Sequence, residues 1–109
     1  MGWYFDAFPS TKEDFIKNII EGYPDYIKVI DKSIRGNHLW ILYEDGNNNN
    51  ERYIVLYLLS SQKKCWGYKP ISEEMGPSYW DCPKRFLKLQ PNIRNEYSKI
   101  WREEVLNKK

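Results

Sequence analysis

The chain has 109 residues, 41% of them hydrophobic and 17% aromatic, with 17 Lys and Arg against 15 Asp and Glu. That length fits a single domain, residues 1–109, with a core large enough to fold without metal or disulfide staples. No apolar run reaches membrane-spanning length, and Met1-Gly2-Trp3-Tyr4-Phe5 lacks a basic n-region and an apolar h-region, so a cytoplasmic protein with no membrane partner is expected.

Taken in chain order, Gly2 to Ala7 is rich in strand formers and is punctuated by Pro9. Ser10-Thr11-Lys12-Glu13 has the spacing of a capping box, with Ser10 as cap and Glu13 reaching back. Phe15, Ile16, Ile19, Ile20 and Tyr23 then share one helical face, opposite Lys17, Asn18 and Glu21, which predicts a helix over 11–22. Gly22 and Pro24 end it.

A meander follows. Tyr26 to Ile34, His38 to Glu44 and Arg52 to Ser60 read as strands joined by turn residues at 35–37 and 45–50, and Lys63 to Lys69 reads as a further strand. Gly67 is expected to mark a bulge or a close backbone approach. Short loops between neighbours imply antiparallel pairing. The strands at 38–44 and 52–60 are apolar on both faces, so both faces require cover. Either the helices divide between the faces, or one face meets a second copy or a partner.

Pro83 is expected to open a short helix through Leu89, with Cys82 or Asp81 as its cap, and Pro91 to open a second. The inward stripe of that second helix is predicted as Ile93, Tyr97, Ile100, Trp101 and Val105. Lys99, Arg102, Glu96 and Glu103 fall outside, Lys99 pairing with Glu103. The fold class is therefore α+β: a four- or five-stranded, mainly antiparallel sheet with one helix after the first strand and two at the C-terminus.

The stretch Trp66–Pro83 carries the candidate site. Pro and Gly exclude regular structure over much of it, yet Ile71, Met75, Tyr79 and Trp80 give it groups with which to pack, so an ordered loop is expected. Its rings and charges, with the cations that follow, supply binding candidates: Trp66, Tyr68, Lys69, Glu73, Glu74, Tyr79, Trp80, Asp81, Lys84 and Arg85. Glu73 and Glu74 are adjacent carboxylates, but acid and base roles need one of them desolvated. Cys82 precedes a helix start, where unpaired N–H groups favour thiolate, and His38 is the one histidine available as its base.

Cys65 and Cys82 form no CxxC pair and one histidine cannot complete a zinc set, while no phosphate-binding glycine loop occurs, so no metal or cofactor is expected. Charge is unevenly spread. Residues 1–61 hold six cations and nine anions, a net −3, whereas residues 84–109 hold eight and three, a net +5. A basic C-terminal quarter beside exposed rings suits single-stranded nucleic acid as well as an acidic protein.

Met1-Gly2-Trp3-Tyr4-Phe5, Gly36-Asn37-His38-Leu39-Trp40, Cys65-Trp66-Gly67-Tyr68-Lys69, the run Glu73 to Pro83 and Trp101-Arg102-Glu103-Glu104-Val105 together resemble a family of small phage, plasmid and bacterial proteins, a domain of unknown function. The family loop has a small hydroxyl residue where Glu74 stands, which speaks against a Glu73–Glu74 acid/base pair. The resemblance implies a mobile-element origin and a host or bacterial protein as partner, including a role as an inhibitor of host defence. The expectation is a non-enzymatic, macromolecule-binding protein, monomer or homodimer. Single-strand nucleic-acid binding is the second reading and a Cys82 enzyme the third.

Overall fold

The computed structural model describes residues 4–5, 11–62, 65–72, 77–89 and 96–107. Five strands, β1 (Tyr4–Phe5), β2 (Ile27–Arg35), β3 (His38–Asp45), β4 (Glu51–Gln62) and β5 (Cys65–Ile71), form one sheet in the order β1-β5-β4-β3-β2. Every pairing is antiparallel. Helix α1 (Lys12–Glu21) follows β1, and a 3-10 turn (Pro77–Asp81), α2 (Lys84–Leu89) and α3 (Glu96–Asn107) follow β5. This is the expected α+β architecture. Of the strand foreseen at 2–7, Tyr4 and Phe5 pair with Tyr68 and Gly67, and the rest lies outside the described residues.

Local chemistry accounts for the joints. Gly36 supplies a positive φ of 60° between β2 and β3, and Asn49 and Asn50 adopt φ of 56° and 57° before β4. Asparagine tolerates that region because its short amide can satisfy nearby backbone groups. The α1 cap falls one residue beyond Ser10. Extended Thr11 accepts from the Asp14 N–H at 3.1 Å, with Glu13 and Asp14 at the positive end of the dipole, while Ser10 lies outside the described residues.

The two apolar faces receive separate cover. On one, Phe15 and Ile16 of α1 bury against Leu39, Ile41 and Leu59, with Ile19, Ile20, Tyr23, Val29, Tyr43, Val55, Tyr57, Trp66 and Tyr68 partly buried around them. On the other, Trp40, Leu42, Ile54 and Leu56 pack against Tyr79, Cys82, Phe86, Leu87, Trp101 and Val105. Division of the helices between the faces is thus the solution adopted, and strand alternation carries it out: odd residues of β3 point to α1 and even ones to the C-terminal helices. On β2 Val29 faces the first core and Ile30 the second, and a bulge between Val29 and Asp31 shifts the register so that Asp31 lies opposite Leu42.

One helix phase differs from expectation. Ser98, Trp101, Arg102 and Val105 are the buried residues of α3, whereas Tyr97 and Ile100 are about half exposed, at 52% and 51%. Ile93 lies outside the described residues. Trp101 and Val105 keep their predicted place, and Ser98 and Arg102 are buried beside them. α3 packs on the 3-10 turn and on α2. Among the described residues the ion pairs are Lys17–Glu21, Arg52–Glu44 and Arg85–Asp31, and Lys99–Glu103 is not one of them.

Candidate functional site

The stretch from Trp66 to Pro83 is divided between the two faces of the sheet. Trp66 and Tyr68 alternate on β5 toward α1, where both are partly buried. Tyr79 belongs to the opposite core at 2% exposed, its ring 5.3 Å from both Trp40 and Trp101, and Trp80 packs partly buried beside it. The aromatics therefore do not make one surface, and Tyr79 is no exposed anchor. Trp66 and Tyr68, two residues apart on β5, share one face of the sheet, whereas Tyr79 and Trp80 of the 3-10 turn pack on the other.

The polar candidates divide as well. The guanidinium of Arg85, 2.7 Å from the Asp31 carboxylate, also donates to the Lys32 carbonyl at 3.1 Å, which clamps α2 to the β2 edge. The Arg85 hydrogen bond holds the Asp31 carboxyl below its ordinary range. Asp81 is exposed and its backbone carbonyl accepts from Arg35 Nη1 at 2.6 Å. Lys69 and Lys84 are half-buried, and Glu73 and Glu74 lie outside the described residues.

Cys82 is 3% exposed and its thiol donates to the Pro83 carbonyl, with Sγ 3.6 Å from the oxygen. A reactive thiolate at the helix start requires an accessible sulfur, and this burial does not meet that condition. Pro83 precedes α2 and does not open it. Among the described residues no cluster of three His, Cys, Asp or Glu side chains could hold a metal.

A site that the sequence does not single out lies under the C-terminal half of α1. Phe15, Asn18 and Ile19 of the helix and Gly22 and Tyr23 just beyond its end, with Tyr57 of β4, Tyr68 of β5 and Phe5 of β1, line an open groove of about 340 Å³. Tyr57 and Tyr68 stand at 90° with centroids 5.4 Å apart, and Phe15 is tilted 48° to Tyr68 at 6.0 Å. Offset and edge-on arrangements of this kind are favoured by the ring quadrupole. At one end the Tyr23 and Tyr57 hydroxyls are 2.7 Å apart. Burial raises both phenols above the ordinary tyrosine value, so both stay neutral.

Gly67 explains how β1 reaches the groove. A Cβ there would fall 2.5 Å from Phe5 Cδ1, so the absence of a side chain is what allows the Phe5 ring to lie against β5. The close approach expected at this glycine is present, and the β5 ladder continues through it without a bulge. Of the groove residues, Tyr68 was legible as a binding candidate. The others carried one signal, an aromatic excess on the inward face of α1 and on the strands it covers, greater than tight packing uses up.

Comparison of the chain with protein-family models, with curated proteins and with solved structures finds no match.

Proposed function

We propose that the protein is a small non-enzymatic binding protein that engages a protein partner through the groove between α1 and strands β1, β5 and β4. The observation that carries this is the open, ring-lined cavity of about 340 Å³, whose size and apolar lining with a few convergent polar groups match a binding site. Phe5 is exposed at its rim and Tyr23, Tyr57 and Tyr68 are partly accessible, and accessible aromatic residues are where binding energy concentrates in protein interfaces. The resemblance to small phage and plasmid proteins points the same way, to a host protein as partner.

Nucleic-acid binding is the weaker reading. Tyr79 is withdrawn into the core, and Arg85 is engaged by Asp31, which removes two of the ring and cation positions that a stacking platform needs. Cys82 chemistry is weaker still, because the thiol is buried. Among the described residues no helix is long and apolar enough to cross a membrane.

The test is affinity capture from bacterial lysate with nuclease present, comparing the native chain with Asn18→Trp, which fills the groove from its exposed rim, and with Tyr97→Ser on the exposed side of α3. Loss of one partner with Asn18→Trp alone supports the groove. Retention with Asn18→Trp and loss with Tyr97→Ser moves the binding surface to α3 and ends this reading.

A further inference from the structure

The groove has an electrostatic character that narrows what it accepts. Among the described residues none of its lining carries a charge. Five are aromatic, and the faces of such rings are negative and attract cations. α1 also ends here: its cap residue Gly22 is part of the lining, so the negative end of the helix dipole lies against the cavity. The last turn of α1 has no basic residue and ends in Glu21. Seven of the eight described lining residues come from the acidic part of the chain, residues 1–61, with its net charge of −3.

Resting on the groove as the binding site, we infer that its occupant is an arginine side chain presented by the protein partner. A guanidinium stacks on aromatic faces and is weakly hydrated, so an uncharged, ring-lined site can take it. A lysine ammonium is a strongly hydrated point charge, and among the described residues the lining has no carboxylate to replace that water. The Asn18 amide and the Tyr23 and Tyr57 hydroxyls add oxygen acceptors for guanidinium N–H groups, which a fully alkylated ammonium would leave unused. Two walls at 90°, Tyr57 and Tyr68, suit a planar group inserted edge-first or laid on one ring.

The experiment is an NMR titration of the full chain with acetyl-Gly-Arg-Gly-amide, using acetyl-Gly-citrulline-Gly-amide as the neutral isostere. Ring protons of Phe15, Tyr57 and Tyr68 are expected to shift to saturation in the millimolar range with the arginine peptide alone. Asn18 is exposed, so charge can be placed at the rim without touching the core. Asn18→Asp is expected to tighten binding about threefold and Asn18→Lys to weaken it about threefold, as for a partly exposed charge pair. Equal binding of the citrulline peptide, or affinity indifferent to these two variants, overturns the inference. Partner capture that is lost with Asn18→Trp while the two peptides remain indistinguishable removes the arginine and leaves the groove. Capture indifferent to Asn18→Trp removes both.

Discussion

The Tyr79 hydroxyl donates to the Ile71 carbonyl at 2.6 Å, and the same oxygen accepts from the Leu56 N–H at 3.3 Å. Leu56 and Ile71 are register partners at the end of the β4–β5 ladder. The phenol thus bridges the two strands where β5 ends. Tyr79→Phe leaves a buried N–H and carbonyl without this partner and is expected to cost about 2 kcal/mol. Urea denaturation should show a lower midpoint with an unchanged slope. A change within about 0.5 kcal/mol would show that the bridge adds little to the ladder.

Asp31 and Arg85 tie the sheet edge to α2, but the pair is partly in water, with the two side chains 30% and 53% exposed. Asp31→Asn is therefore expected to cost only about 0.5–1 kcal/mol. The folded carboxyl is held below its unfolded value. Its contribution is present above about pH 4, the ordinary carboxylate value, and is lost as pH falls through the depressed folded value. Comparing the two proteins across the acid range checks this: the native chain should lose its advantage over Asp31→Asn toward low pH. A constant difference would assign the effect to packing.

The Tyr23–Tyr57 pair gives the opposite pH behaviour. Both phenols are raised in the fold, so stability is fully present below the unfolded tyrosine value of about 10 and is lost as pH rises above it. Absorbance at the tyrosinate band and far-UV circular dichroism should change together as the fold opens in base. The double variant Tyr23→Phe/Tyr57→Phe is expected to lose about 1 kcal/mol at neutral pH and to show a weaker base dependence. Ionisation of both phenols in an intact fold would contradict the assigned burial.

Gly67→Ala puts a methyl group where Phe5 Cδ1 and Cε1 lie 2.5 and 2.6 Å from the built Cβ. The ring must move and the two-residue β1 is expected to loosen, at a cost of about 1–3 kcal/mol. Faster amide exchange at the β1–β5 pairing would register it. In a Phe5→Ala background the same substitution should be nearly neutral, because the clash has gone. An undiminished cost in that background would place the strain in the backbone of β5.

The α1 stripe is legible in the sequence because Phe15, Ile16, Ile19, Ile20 and Tyr23 repeat at the helical period, and a periodic pattern has one way to bury itself. Strands β3 and β4 show apolar residues in both phases, a pattern that by itself requires cover on both faces. Gly67 and the turn residues likewise declared their roles, since few side chains can occupy those backbone positions.

Tertiary structure decided the rest. The sequence left open which way the rings of 66–83 point: Tyr68 of β5 lies on the α1 face, while Tyr79 of the 3-10 turn is buried in the opposite core with Trp40 and Trp101. The phase of α3 was not legible because Tyr97 and Ile100 are more apolar than the Ser98 and Arg102 that are buried in their place, and it is the packing of α3 on the 3-10 turn and α2 that sets it. The groove could not be read at all. Its walls come from α1, β1, β4 and β5, brought together by strand register, so residues as distant in sequence as Phe5, Tyr57 and Tyr68 become one surface only after folding.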